Sequence, residues 1–204
     1  GDIQRTIKLE QVNKTRTAFS GRVSSLFKQV KPNLEYLEDC RKVMKSYPTL
    51  KTSVKTIVIA GMPNVGKSTL LACLTGSKPK VAPYPFTTQK LNFGYDKDSN
   101  QYVDTPGLLD RPIEKRNKIE RQAILALKHL ASVVVFVFDP TEISGYSVKE
   151  QEDLLREIKK EFSLPVILVS NKSDIVQPLT KAISISAKDC SGIKEVQTAI
   201  YAIL

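Results

Sequence analysis

The residues with the clearest chemical potential lie in a glycine-bounded stretch after residue 60. Gly61-Met62-Pro63-Asn64-Val65-Gly66-Lys67-Ser68-Thr69 follows a β-branched run and precedes a helical pattern. Its two glycines allow the backbone to curl, so that successive N–H groups point inward at phosphate oxygens beside a helix N-terminus. Lys67 can reach the β- and γ-phosphates, and the Ser68 hydroxyl can ligate Mg²⁺. The stretch therefore predicts a phosphate-binding loop (P-loop) that holds a nucleotide.

Two further segments could act on the terminal phosphate and the metal. In Asp104-Thr105-Pro106-Gly107, we expect Asp104 to hold Mg²⁺ through water and the Gly107 N–H to meet the γ-phosphate. Pro85-Phe86-Thr87-Thr88 lies in a proline-rich segment, where a threonine could ligate Mg²⁺ and bond the γ-phosphate. We favour Thr88 over Thr87 for this role. The predicted metal ligands are therefore Ser68, Thr88 and Asp104.

The base of the nucleotide is indicated by two segments near the end of the chain. In Asn171-Lys172-Ser173-Asp174, the aspartate can accept two hydrogen bonds from N1–H and the exocyclic amine of guanine, a pair that adenine lacks. Asn171 would brace the loop, and the Lys172 stem would cover the ring. Ser186-Ala187-Lys188 would present the Ala187 N–H to guanine O6. These residues predict a guanine nucleotide, GTP or GDP.

The elements that position these residues alternate between strands and helices. We predict strands at 57–60, 91–95, 101–104, 133–138, 166–170 and 182–186, and helices at 67–75, 114–130, 147–162 and 192–204. Such alternation is typical of an α/β, doubly wound, mostly parallel sheet with helices on both faces, whose ligands bind at the carboxyl ends of the strands. Residues 78–89 contain three prolines and predict irregular structure.

The N-terminal quarter differs in composition from the rest of the chain. Apolar residues recur at spacings of three and four on both sides of Pro32, which predicts a helical hairpin or a kinked helix pair in residues 1–50, followed by a nucleotide domain in residues 51–204. Residues 1–56 carry 12 basic and five acidic side chains, whereas the whole chain has a net charge of +10. The bias favours a polyanionic partner such as RNA, with a solvated helical face as an equal alternative.

Composition limits the remaining possibilities. The longest apolar run, Val133 to Phe138, is too short to span a bilayer, so we expect no membrane partner. Cys40, Cys73 and Cys190 form an odd set without a C-x-x-C spacing, which predicts free thiols in a reducing, cytoplasmic compartment. We expect a monomer.

The motifs together resemble a known family. The P-loop, Tyr84-Pro85-Phe86-Thr87-Thr88 and Asp104-Thr105-Pro106-Gly107-Leu108 resemble the Obg-like GTPases, and the run from Asp104 to Leu130 resembles the nucleolar G-protein (NOG) family. The resemblance covers most of residues 15–204. It implies a P-loop GTPase fold, Mg²⁺, and a role in assembly of the large ribosomal subunit, with rRNA or a subunit precursor as partner. If the protein is eukaryotic, the resemblance implies a nucleolar or nuclear location in place of the cytoplasm. The chain is similar to a short archaeal-type member or to a trimmed piece of a longer one.

The resemblance also carries expectations about catalysis. Leu108 stands where a signalling GTPase has its water-orienting glutamine, which implies slow intrinsic hydrolysis. Lys67, Thr88, Gly107 and Asn64 are the residues that we assign to catalysis. In related GTPases an asparagine at the position of Asn64 ligates K⁺, so K⁺ could stimulate hydrolysis here; Asn64 could equally serve only to stabilise the loop.

Two other uses of the chain stay open. It could be a signalling or trafficking GTPase, although Leu108 argues against this, or an RNA- or ribosome-binding module in which GTP is a static ligand. One spacing is unusual, because only eleven residues separate Asp174 from Ser186. This is fewer than a helical crossover between parallel strands requires, so we expect a lost or reduced helix there.

Overall fold

The computed structural model describes residues 2–45, 53–76, 80–83, 90–107, 109–110, 116, 118–179 and 181–204. The chain divides into two compact units, residues 1–46 and residues 47–204.

The first unit is a single helix, α1 (Asp2–Lys45), which continues through Pro32. Of the two predicted alternatives, the helical hairpin is wrong, because the chain does not turn back at the proline. The kinked helix pair is replaced by one helix that contains Pro32. The apolar residues Val23, Leu26, Val30 and Leu37 keep the same helical spacing on both sides of Pro32. Proline removes one backbone hydrogen bond but does not force a turn. Large apolar side chains of α1, such as Phe19, Phe27 and Leu37, are exposed.

The second unit is built on a mixed sheet. Within the described residues its seven strands lie in the order β2-β3-β4-β1-β5-β6-β7. They are β1 (Thr56–Ala60), β2 (Lys80–Pro83), β3 (Lys90–Tyr95), β4 (Gln101–Asp104), β5 (Ala131–Phe138), β6 (Val166–Ser170) and β7 (Ile183–Ser184). Strands β4, β1, β5, β6 and β7 are parallel, whereas β2 and β3 pair antiparallel. The prediction of a doubly wound, mostly parallel sheet is confirmed.

The sheet is covered by helices, which explains the composition of its central strands. All of β1 is buried, and β5 is buried except for the half-buried Ser132. The helices are α2 (Lys67–Thr75), α3 (Lys118–Leu130), α4 (Val148–Phe162) and α5 (Ile193–Tyr201). Helix α4 begins at a capping box in which Ser147 and Glu150 bond each other's backbone N–H groups. None of the described helices combines the length and the apolar composition that crossing a membrane would require.

Several predicted boundaries need correction. Residues 80–83 form the edge strand β2 despite the nearby prolines, because an edge strand tolerates a residue without an N–H. Helix α3 begins at Lys118, and Arg116 is not helical. Strand β7 has only two residues, and α5 ends at Tyr201. Between β6 and β7, the described residues contain turns but no helix, as the short spacing predicted.

Candidate nucleotide-binding site

The P-loop connects β1 to α2, and both of its glycines are required by the backbone. Gly61 has a φ of +141°, and a Cβ there would lie 2.6 Å from Val137 O. Gly66 has a φ of +102°, and a Cβ there would lie 2.3 Å from Asn171 Nδ2. Both positions combine a left-handed conformation with a close approach, so any other residue would be strained. The loop therefore reaches against β5 on one side and against the segment after β6 on the other.

Lys67 is folded into the P-loop. Its side chain is 7% exposed, and Nζ donates to Gly61 O at 2.9 Å and to Met62 O at 2.7 Å. Burial lowers the pKa of Lys67, while the carboxylates of Asp104 and Asp110 act in the opposite direction. A buried ammonium group bonded only to carbonyls is poised to exchange one of these partners for an anionic oxygen.

The predicted metal ligands Ser68 and Asp104 meet at the carboxyl ends of β1 and β4. Ser68 Oγ donates to Asp104 Oδ2. Asp104 is fully buried, and its other oxygen, Oδ1, has no hydrogen-bond partner among the described residues. A buried carboxylate oxygen without a partner is costly, so a cation or its water shell fits this position. The residues present therefore fit Mg²⁺.

Asn92 also belongs to this end of the site, and sequence reasoning missed it. Its Nδ2 donates to Asp104 Oδ2 at 3.1 Å and to Ser68 Oγ at 3.3 Å. It lies opposite Asp104 in the register of β3 and β4. A polar residue between Leu91 and Phe93, which are both buried, is the signal that could have identified it. Its amide orients the two predicted metal ligands.

The Gly107 N–H, which we expect to meet the γ-phosphate, already has a partner within the chain. It donates to Asp110 Oδ2 at 2.7 Å. Asp110 also lines a cavity of about 390 Å³ that extends over Lys67, Ser68 and Pro106. Asp110 was not among the residues predicted from the sequence.

Asn171 joins the two halves of the candidate site. Its Nδ2 donates to Val65 O in the P-loop at 2.8 Å, and its Oδ1 accepts from the Ala187 N–H at 2.8 Å. The side chain is 4% exposed. The segments after β1, β6 and β7 are therefore tied together by one buried amide. The Ala187 N–H, which we expect to donate to guanine O6, is thus the group that bonds to Asn171 in this structure.

Lys172 is held by Asp139, which directly follows β5 and was not predicted from the sequence. Lys172 Nζ donates to Asp139 Oδ2 at 2.6 Å. Burial acts to raise the pKa of Asp139, but hydrogen bonds from Lys172, Thr141 and Ser144 outweigh it, so the pKa lies below its ordinary value. Asp174, which we expect to select guanine, is exposed two residues further on.

The prediction of three free thiols is wrong. Cys73 of α2 and Cys190 form a disulfide, with a sequence separation of 117 residues, and Cys40 is the free cysteine. The fold explains the pairing, because Cys190 follows the Ser186-Ala187-Lys188 segment, which lies beside α2: Cys73 Sγ is 3.4 Å from Ala187 O. The disulfide therefore fastens the helix after the P-loop to the predicted base-binding segment.

Other predicted residues have different outcomes. Pro63, Asn64 and Thr69 line the same cavity as Lys67, while Val65 is buried. Asn64 has a φ of +62°, a conformation that asparagine tolerates better than most residues, so it has a role in the loop whether or not it binds K⁺. Lys188 is exposed and Ser186 is buried. Thr87, Thr88 and Leu108 lie outside the described residues.

Arg116 follows the Asp104–Leu108 motif. From the sequence alone it could act near the phosphate of another molecule or contact RNA, although most exposed arginines do neither. In the structure its side chain is 4% exposed. A guanidinium group that is buried in its own domain does not present itself to a partner.

Comparison with known proteins decides the family. The family model of nucleolar GTP-binding protein 1 (NOG1) matches residues 118–174. Nucleolar GTP-binding protein 1 of Candida glabrata is 41% identical over 174 residues, which are 83% of this chain and 27% of that protein. An uncharacterized protein of Methanocaldococcus jannaschii is 48% identical over 167 residues, which are 82% of this chain and 47% of that protein.

The chain belongs to the nucleolar G-protein family. This confirms the resemblance inferred from the motifs. The chain nevertheless spans less than half the length of these two curated relatives.

Solved structures agree with this assignment to the NOG family. A nucleolar GTP-binding protein 1 from Plasmodium falciparum has a TM-score of 0.66 and 28% identity, covering 76% of this chain and 89% of that one. Era in complex with MgGDPNP and a segment of 16S ribosomal RNA has a TM-score of 0.51 and 28% identity, covering 74% of this chain and 57% of that one. The fold is that of the P-loop GTPases.

Proposed function

We propose that this chain is a Mg²⁺-dependent switch protein that binds and hydrolyses GTP. The observation that carries the proposal is the pair of bonds made by Asn171, to Val65 O and from Ala187 N, because it sets the predicted base loop directly against the phosphate loop. A nucleotide bound there has its phosphates at the N-terminus of α2 and its base at Asp174. The names of the NOG relatives support guanine as that base.

The phosphate end supports a bound metal in the same proposal. Ser68 and Asp104 would hold Mg²⁺, with Thr88 as the third protein ligand in the triphosphate state. Mg²⁺ would neutralise charge on the phosphate oxygens. The chain's own groups would then position the nucleotide: Lys67 would exchange a backbone carbonyl for a phosphate oxygen, and Asn92 would keep the two ligands oriented.

The purine specificity can be tested with a substitution at residue 174 that should change the preferred base from guanine to xanthine. Asp174→Asn replaces one acceptor by an N–H donor, which opposes the guanine amine but matches the C2 carbonyl of xanthine. We expect GDP affinity to fall by about a thousandfold, because two charge-assisted hydrogen bonds are lost, and XDP affinity to rise. Asp189→Asn serves as the control, because Asp189 is an exposed acidic residue near the same end of the sheet. Equal loss of GDP and XDP binding in Asp174→Asn would contradict the assignment of Asp174.

Hydrolysis is the part of the proposal that depends on Leu108 and Asn64. A leucine does not orient water, so intrinsic turnover should be slow, and K⁺ held at Asn64 would increase it. Single-turnover GTP hydrolysis in KCl and in NaCl tests this, with Asn64→Asp and Asn64→Ala beside the unmodified chain. Equal rates in the two salts would remove K⁺ from the mechanism.

We further propose that the partner is a precursor of the large ribosomal subunit or its rRNA. The name of the family and the RNA bound to Era support this, as does α1, whose basic residues Lys14, Arg16, Arg22 and Lys28 are exposed. RNA binding through this helix should weaken steeply as salt rises, because each phosphate contact releases counterions. Binding to rRNA fragments that does not change between 50 and 200 mM salt would contradict it.

A static role for the nucleotide is the alternative, and the leucine at position 108 favours it. In that case the protein would bind GTP and GDP tightly without turnover, while its basic helix binds the ribosomal particle. GTP turnover with and without large ribosomal subunits separates the two. Stimulated hydrolysis supports the switch, whereas tight binding without hydrolysis under both conditions supports the static ligand.

A further inference from the structure

Asp110 occupies a position where an anion of the nucleotide is expected. Its Oδ2 accepts the Gly107 N–H at 2.7 Å, and its side chain lines the cavity above Lys67 and Ser68. Of the described residues that line this cavity, Asp110 is the acidic one. A carboxylate therefore faces the cavity that the phosphates are expected to enter.

The groups around Asp110 are those that an anion would satisfy. Lys67 brings an ammonium group into the same cavity, and Asp110 opposes the effect of burial on the pKa of that lysine. The Gly107 N–H is a single donor, in a residue whose φ is +76°. One N–H cannot make a strong hydrogen bond to the Asp110 carboxylate and to a γ-phosphate oxygen at once. The Asp110 carboxylate and a γ-phosphate that shared this N–H would also repel each other, because both are negatively charged.

We propose that Asp110 is a specificity-determining residue that lowers the affinity for the triphosphate relative to the diphosphate. Its carboxylate takes the place of the γ-phosphate on the Gly107 N–H, so a triphosphate has to displace it, whereas a diphosphate leaves it in place. This inference rests on the proposed function, because it requires that the cavity takes a guanine nucleotide. The same exchange couples the arrival of the γ-phosphate to the release of Asp110 from Gly107.

A purely local role for Asp110 makes a different prediction. Pro106 and Gly107 lie in a turn, and Leu109 N donates to Thr105 O at 3.4 Å. The bond from Gly107 to Asp110 could therefore serve only to stabilise that turn. A turn brace would support the site equally with either nucleotide. Its loss would change the binding of GDP and of a GTP analogue by the same factor.

The test compares two substitutions in the full chain. Asp110→Ala removes both the charge and the acceptor, whereas Asp110→Asn removes the charge and keeps an acceptor for the Gly107 N–H. Glu161→Gln is the matched control, because Glu161 is a half-buried acidic residue at the end of α4, just before β6 begins at Val166, whereas the candidate site lies at the carboxyl ends of the strands. Dissociation constants are measured for GDP and for the non-hydrolysable analogue GDPNP at saturating Mg²⁺.

The expected result is a selective gain for the triphosphate. In Asp110→Ala the ratio of the GDPNP to the GDP dissociation constant should fall about tenfold, which corresponds to one charge-assisted hydrogen bond that no longer has to be displaced. Asp110→Asn should lower the ratio by a smaller factor, and Glu161→Gln should leave it unchanged. Retained GDP affinity would show that the Asp110 variants are folded. If Asp110→Ala does not fold, the ratio measured for Asp110→Asn alone tests the inference.

Two results would overturn the inference. An unchanged ratio in both variants would assign Asp110 to the turn, and a raised ratio would show that Asp110 helps to hold the triphosphate. Neither result affects the proposed function as long as the unmodified chain binds GDP. Failure of the unmodified chain to bind GDP or GDPNP would instead remove the proposed function, and the inference with it.

Discussion

At the base end of the candidate site, most of the buried polar groups bond to other parts of the protein, with Ser186 Oγ as an exception in the described part of the chain. At the phosphate end, several groups that could bind a phosphate or a metal bond to protein groups in its place or have no partner among the described residues. Asn171 makes two bonds, Lys172 is paired with Asp139, and the Cys73–Cys190 disulfide fastens the neighbouring segments. At the other end, Asp104 Oδ1 has no partner among the described residues, and the Gly107 N–H is bonded to Asp110.

This difference indicates that the two ends of the site contribute to nucleotide binding in different ways. The base end is assembled by the fold itself, so its geometry exists before a nucleotide arrives. The phosphate end contains groups that a nucleotide and a metal would satisfy better than the protein does. Substitutions at the base end should therefore reduce stability together with affinity, whereas substitutions at the phosphate end should alter ligand binding at little cost in stability.

The largest loss of stability is expected from opening the disulfide. Replacing Cys73 and Cys190 by serine removes a cross-link across 117 residues, and we expect the free energy of unfolding to fall by about 4 kcal/mol, since the unfolded chain gains conformational freedom. Urea denaturation with and without a reducing agent measures this. The control is Cys40→Ser, which should change nothing; a double variant as stable as the unmodified chain would show that the disulfide does not form in solution.

The second largest effect is expected at Asn171. Asn171→Ala leaves Val65 O and the Ala187 N–H without their partner, so we expect a loss of about 3 kcal/mol in the free energy of unfolding, with weaker binding of GDP and GDPNP alike. Asn100→Ala is a suitable control, because Asn100 is a buried amide bonded to Asp96 outside the site. Normal GDP affinity in Asn171→Ala would contradict the claim that substitutions at the base end reduce stability and affinity together.

At the phosphate end, Asn92→Ala should weaken Mg²⁺ without unfolding the protein. Removal of its amide leaves Ser68 and Asp104 less firmly oriented, so we expect the Mg²⁺ affinity of the GDP complex to fall by about tenfold to a hundredfold. Magnesium titrations of the GDP complex measure this. A melting temperature several degrees lower, with unchanged Mg²⁺ affinity, would assign Asn92 to structure instead.

The smallest effect is a pH dependence at Asp139. Because its pKa in the folded protein is below the ordinary value, its contribution to stability is present above about pH 4 and is lost as the pH falls through the folded pKa. Asp139→Asn should cost about 1 kcal/mol at neutral pH and should flatten the loss of stability between pH 4 and pH 2. Identical pH profiles for the two proteins would contradict this assignment.

Much of the fold could be predicted because local patterns and tertiary structure agree. The helix from Lys67 to Thr75 and the hairpin of β3 and β4 have the predicted bounds to within one residue, since glycine and the turn at 96–100 end each pattern. The proline-based predictions failed because a proline neither excludes an edge strand nor forces a helix to turn back. Pro83 ends an edge strand, and Pro32 lies inside a helix whose apolar phase continues past it.

Three contacts in and around the candidate site could not be predicted from the sequence. Cys73 and Cys190, Lys172 and Asp139, and Gly107 and Asp110 become partners only once the loops at the strand ends are placed. The motifs indicated which residues would contact a nucleotide, but not which protein groups they bond to when no nucleotide is bound. The disulfide also disagrees with the reducing compartment that the odd number of cysteines predicted.

The most direct test of the account is competition for the base end by different purines. The unmodified chain is loaded with GDP, and displacement by GTP and by ATP is followed by calorimetry at the same Mg²⁺ concentration. The account predicts that GTP displaces GDP and that ATP does not, even at a hundredfold excess. Displacement by ATP as effective as that by GTP would contradict the claim that the segment from Asn171 to Asp174 selects guanine.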